Sequence, residues 1–182
     1  MVALTTPFLQ QNFQVVDFKL KGTDDHFYTL KDVQGEKGTI IMFICNHCPY
    51  VKAIIDRIVN DVKELEAYGV KAVAIMSNDF VAYPEDNFEN MKKFAYLHNF
   101  AFPYLLDETQ QIAKAYDAVC TPEFYGFDQK GILRYRGRLD ASRKEKIPNA
   151  KRDLFDAMVD ISTFGQAPSE QFPSIGCSIK WK

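Results

Sequence analysis

The sequence lacks what would place it in a membrane or on a polyanion. No apolar run approaches the roughly 18 residues that a spanning helix requires, and the start, MVALTTPFLQQNF, has no basic stretch leading into an apolar core. Charge of one sign is lacking as well: 22 Lys and Arg against 24 Asp and Glu leave a net charge of −2. Such a balance supplies no field to gather nucleic acid or an anionic bilayer. Cysteine is sparse, and four in 182 residues are too few for a stapled scaffold. No repeat, low-complexity tract or interdomain linker interrupts the chain. These absences predict a cytoplasmic protein whose partners are proteins or small molecules, with no nucleic acid and no membrane.

What is present reads as one globular domain: 47% apolar and 25% charged residues, with 15 Phe and 9 Tyr, in 182 residues, a length that buries a core without staples. VDFKLKGTDDHFYTLKDVQG predicts a hairpin that precedes the main sheet, with Gly22 to Asp25 as its turn. TIIMFI, Thr39 to Ile44, is too short for a helix and too continuously apolar for a half-exposed strand, which predicts a central strand. From Pro49 the apolar residues Val51, Ile54, Ile55, Ile58, Val62 and Leu65 share one face of a helix ending at Tyr68-Gly69. Val70 to Met76 is a second strand, followed by a helix burying Phe88, Met91, Phe94 and Ala95, a strand at Tyr104 to Asp107 and a helix in ETQQIAKAYDAV.

This strand–helix alternation predicts an α/β fold. It gives way to a hairpin, Glu123 to Phe127 and Ile132 to Leu139, in which Arg134, Arg136 and Arg138 form a solvated face. A last helix from about Asn149 to Thr163 and an extended tail complete the chain. The division is a β extension over 1–38, a core over 39–163 and a tail over 164–182.

The chemistry concentrates in CNHCP, Cys45 to Pro49, where a strand gives way to a helix. The first turn of a helix leaves N–H groups unpaired and its dipole favours negative charge, so a thiolate is stabilised there. Cys45 is expected to be the exposed, acidic thiol, Cys48 the thiol that releases a mixed disulfide, and His47 a donor that raises acidity further. Two readings compete with this redox pair. Free cysteines are often buried and inert, and Cys45, Cys48 and His47 with Cys120 or Cys177 are soft enough donors for zinc or copper(I). The junction position favours redox chemistry. If Trp181 anchors the tail, Cys177 folds back toward the site as an additional redox thiol beside Cys120; the competing and favoured reading leaves Cys120 a buried small hydrophobe and Cys177 a surface thiol.

Strand, CNHCP, helix, strand, helix, then TP leading into a hairpin and a last helix resembles the thioredoxin-like fold, in its redoxin or AhpC/TSA-related branch. The resemblance runs from about Val16 to Thr163, and CNHCPYVK, TPEFYGFD and a terminal GCSIKW together resemble a set of bacterial thioredoxin-like proteins. It implies a central mixed sheet flanked by helices and a cis-proline at Pro122 facing the cysteine pair. Thr121 would offer its backbone to an extended substrate, with Asn46 and Pro49 beside it. It implies a thiol–disulfide oxidoreductase with no cofactor beyond a redox-active Cys45–Cys48 disulfide, no metal, disulfide or thiol substrates, and a cellular thiol as reductant. The sequence departs from thioredoxin where that family has a buried Asp and a Trp, here Thr39 and Ile44. It departs from peroxiredoxins in having Met42 three residues before Cys45, which weakens a thiol-peroxidase reading.

Overall fold

The computed structural model describes residues 3–7 and 12–182; the remaining part of the expected 1–38 extension lies outside them. Its centre is a seven-stranded mixed sheet, built from β2 (Lys19–Gly22), β3 (Phe27–Thr29), β4 (Gly38–Phe43), β5 (Val70–Met76), β6 (Tyr104–Leu106), β8 (Glu123–Asp128) and β9 (Leu133–Gly137), in the order β3-β2-β6-β5-β4-β8-β9. Strand β4 pairs parallel to β5 and antiparallel to β8, and every residue in it is buried. Side chains alternate across a strand. Ile40 and Met42 therefore enter one apolar layer, and Ile41 and Phe43 the other. The first layer is closed by α3 (Ile55–Leu65), α4 (Phe88–Leu97) and α6 (Asp153–Phe164), through Ile58, Val62, Met91, Leu154 and Met158. The second is closed by α1 (Leu30–Val33) and α5 (Gln111–Ala115), through Val33 and Ala113 packed with Tyr116, Tyr125 and Phe127.

Four features differ from the sequence expectations. The early hairpin is not a separate extension: Lys21 pairs with Leu106, which makes β2 and β3 the edge of the main sheet. The helix expected from Pro49 to Leu65 is broken into α2 (Pro49–Lys52) and α3, with Ile54 leaving helical geometry at φ −124° and ψ 1°. Two adjacent β-branched residues, Ile54 and Ile55, sit at that break; both are buried, and such residues hold a helix weakly. The regular Leu/Arg alternation of β9 is interrupted by a register shift between Gly126 and Phe127, which sends Leu133 and Tyr135 to opposite layers.

The tail is the fourth difference. Residues 175–178 form a strand, β10 (Ile175–Ser178), inside a small three-stranded sheet with β1 (Ala3–Thr5) and β7 (Cys120–Thr121). Trp181, the expected anchor, is 43% exposed, with Lys114 Nζ 5.7 Å from its ring centre. The tail is held by its backbone instead. Ile179 N–H donates to Val119 O, Lys180 N–H to Asn78 Oδ1, and Lys180 O accepts from Asp79 N–H and Gln110 Nε2. Polar backbone with definite partners explains why a Pro-, Gly- and Ser-bearing segment is ordered here.

Candidate active site

The site forms where β4 ends. Cys45 lies just past the strand and Cys48 occupies the N-cap of α2, with Pro49 at the first helical position, where a missing N–H costs nothing. Facing them is the Thr121-Pro122 peptide, which is cis. Cys45 Sγ lies 3.4 Å from Thr121 Oγ1, and Cys48 Sγ 3.2 Å from the Thr121 carbonyl oxygen. Thr121 does not present a free edge: β10 runs antiparallel to β7, with Cys177 opposite Thr121, and Cys177 Sγ is 3.1 Å from Cys48 Sγ. A cleft borders Pro122, lined by Tyr50, Arg138, Arg143 and Ile175 among others.

The expectation of an exposed, acidic Cys45 is corrected on both counts. Cys45 is 1% exposed, Cys48 0% and Cys177 3%. The acidity falls on Cys48, whose thiol is pushed down to about 5, chiefly by the Cys45 thiol donating to it. Burial opposes this, and the Cys177 thiol with the backbone N–H groups of Val51 and Cys177 adds to it. The Thr121 carbonyl beside Cys48 works against the charge, one acceptor against several donors. Cys45 is pushed well above its ordinary value by the same bond to Cys48, by burial and by the Asp86 carboxylate. Cys177 is pushed up to about 12, first by burial and then by Cys48. Sequence position predicted a thiolate at the helix start, but the environment of each sulfur also depends on Cys177, which the tail brings beside Cys48.

Cys120 precedes this peptide yet takes no part in the sulfur cluster. It is fully buried, among the described residues its sulfur reaches only the Pro122 carbonyl at 3.9 Å, and burial raises its thiol. Asn46, expected beside a substrate, is turned inward: its Nδ2 donates to Glu85 O at 3.0 Å and its Oδ1 accepts from Tyr104 Oη at 2.9 Å.

His47 lies where the sequence put it, but its partner was not legible. Its Nδ1 is 2.7 Å from Asp86 Oδ2, and its ring stacks on Tyr83 at 5.9 Å and 5°. That bond raises the His47 pKa, against the effect of burial. Asp86 is completely buried, accepts from the Asn46 N–H at 2.8 Å and from Asn78 Nδ2 at 2.7 Å, and supplies a carboxylate beside the thiols although Thr39 replaces thioredoxin's. It sits on a short 3-10 turn, Pro84–Asp86, whose sequence carries no sign of a site.

The arginines in and just after β9 are not a solvated face. Arg136 is buried against Glu123, with Nη2 2.7 Å from Oε1, Arg134 pairs with Asp128 at 2.8 Å and Arg138 with Asp153 at 2.7 Å. Cys45, His47 and Asp86 place one donor atom each within 4.8 Å of one another. The fit to a metal is poor. Both Asp86 oxygens already accept hydrogen bonds. The 3.1 Å between Cys48 and Cys177 sulfurs is also shorter than the ~3.8 Å that two thiolates on one tetrahedral zinc keep, given Zn–S bonds of about 2.3 Å.

A cysteine pair at a strand–helix junction, a cis-proline facing it, and a mixed sheet covered by helices on both sides define a thioredoxin-like oxidoreductase. Residues 12–136 match the AhpC/TSA family, and the chain belongs to it. It is similar to an uncharacterized conserved protein from Geobacillus kaustophilus, with 45% identity over 100% of this chain and 97% of that one and a TM-score of 0.94. A hypothetical protein from Sinorhizobium meliloti shares 31% identity over 98% of both chains, with a TM-score of 0.93. A secreted Mycobacterium tuberculosis disulfide oxidoreductase homologous to E. coli DsbE shares the fold at 16% identity over 78% of this chain and 93% of that one, with a TM-score of 0.60. No curated protein matches the chain. Among the described residues no helix is long and apolar enough to cross a membrane.

Proposed function

We propose that the protein exchanges disulfides through Cys45 and Cys48. The observation that carries this reading is that both sulfurs face the cis Thr121-Pro122 peptide at the strand–helix junction, Cys45 Sγ 3.4 Å from Thr121 Oγ1 and Cys48 Sγ 3.2 Å from Thr121 O. A thiolate adjoining a thiol is a nucleophile with its own base. Cys45 attacks one sulfur of an external disulfide as its proton passes to Cys48, and the other external sulfur leaves as a thiolate. Cys48 then attacks Cys45 in the mixed disulfide, its proton leaving with the second external thiol, so that one disulfide has been reduced and the Cys45–Cys48 disulfide formed. A cellular thiol returns the pair to the reduced state. The cationic form of His47, favoured by Asp86, offsets that carboxylate beside Cys45. The substrates are protein or small-molecule disulfides and thiols, in the cytoplasm.

The test is reduction of oxidised glutathione by stoichiometric, fully reduced protein. Wild type should release two glutathione thiols per chain, Cys45→Ser none, and Cys48→Ser one, with glutathione retained on Cys45. Undiminished release from Cys45→Ser removes Cys45 as nucleophile.

A further inference from the structure

The edge on which an extended substrate would pair is occupied by the chain itself. Strand β10 lies against β7 in register, Cys177 opposite Thr121 and Ser178 opposite Cys120, and it is clamped at both ends. Upstream, Thr6 N–H donates to Ser174 O at 3.1 Å and Ser174 Oγ to Gly137 O at 2.5 Å. Downstream, Lys180 N–H donates to Asn78 Oδ1 at 2.9 Å, and the same Asn78 holds Asp86 through its Nδ2. The seat is shaped for this strand. At Gly176 a Cβ would come within 2.1 Å of Thr121 O and 3.1 Å of Pro122 N, so any side chain there would push β10 away from the cis-peptide. This docking aims Cys177 Sγ at Cys48 Sγ, 3.1 Å away, about 1 Å beyond a disulfide bond.

We propose that Cys177 is a third redox thiol, carried by a built-in substrate strand: it attacks Cys48 of the oxidised pair, forming a Cys48–Cys177 disulfide and releasing Cys45 as a thiol. The step builds on the exchange reaction above, whose external disulfide has already removed the two electrons. One S–S bond breaks and one forms, the proton passes from Cys177 to Cys45, and no further oxidant is consumed. Formation of the first disulfide discharges Cys48, and with it part of what holds the proton on Cys177. The outcome is a free Cys45 next to a locked tail, and an extended partner must displace β10 to reach Thr121.

The experiment oxidises fully reduced, full-length protein with one equivalent of oxidised glutathione, quenches in acid, alkylates, and maps the disulfides by mass spectrometry. In wild type, Cys48–Cys177 should exceed Cys45–Cys48 by about tenfold. In Gly176→Ala, whose tail cannot seat, the ratio should fall below one while glutathione is still reduced. Cys177→Ser, which keeps the tail seated, should hold Cys45–Cys48 alone and guards against a misfolded glycine variant. Wild type showing Cys45–Cys48 with Cys177 free overturns the relay and leaves the exchange reaction standing. Wild type in which all thiols stay free overturns the exchange reaction, and the relay with it.

Discussion

Of the four cysteines only Cys48 has its thiol pushed down, and removing its neighbouring donor should weaken that effect. Cys48 is pushed down to about 5, whereas Cys177 is pushed up to about 12 and Cys45 and Cys120 upward. Between those limits the reduced protein should show one step of ultraviolet thiolate absorbance, of one sulfur's amplitude. The Cys45 thiol is the largest contributor to the acidity of Cys48. A hydrogen bond to a charged group contributes about 1.5–3 kcal/mol, and about 1.4 kcal/mol corresponds to one pH unit. Cys45→Ala should therefore raise the midpoint by about 1–2 units. Cys177→Ala should raise it less, since its thiol is a smaller contributor behind Cys45, and Cys48→Ala should abolish the step. Persistence of the step in Cys48→Ala, or an unchanged midpoint in Cys45→Ala, would refute the placement of the charge and with it the role of Cys48 as base.

Three further outcomes follow from the surroundings of the pair. The His47 value is raised by Asp86, so the extra stability from this pair is whole below pH ~6.5, the ordinary histidine value, and fades as pH rises through the folded value. Urea midpoints at mildly acid and mildly alkaline pH should show this component in wild type and not in Asp86→Asn. The His47 ring resonances of that variant should titrate lower than in wild type. Arg136→Met leaves Glu123 buried without its cation, which should cost about 3–5 kcal/mol in urea unfolding, whereas Glu123→Gln with Arg136→Met should recover a large part. Ile179 is 3% exposed and packs in the layer with Tyr116 and Tyr125. Ile179→Ala should cost about 2–4 kcal/mol and speed alkylation of Cys177; a variant with unaltered Cys177 reactivity would show that tail packing does not guard the thiol.

Periodicity made the layered frame legible. Strand β4 read as central because TIIMFI is apolar without alternation, and β5 was legible at both ends because VKAVAIM is bounded by Gly69 and the polar Ser77-Asn78. The break at Ile54, the shift at Gly126/Phe127 and the burial of Arg136 were not, because each depends on what packs opposite. An arginine alternating with apolar residues looks solvated until Glu123 of the neighbouring strand supplies its charge partner.

For the site, local sequence alone determined that two thiols would meet a helix start, with His47 between them and proline behind. Helix geometry and residue spacing require no distant partner for that. The tertiary structure decided the surroundings of the sulfurs, since Cys48 meets Cys177 only once residues 129 positions apart are brought together. It decided the carboxylate as well, bringing Asp86 to His47 from 39 positions along the chain. It also decided that a Pro- and Gly-bearing end is a strand, because hydrogen bonding to Thr121 and a seat open only to Gly176 are properties of the partner surface, not of the segment.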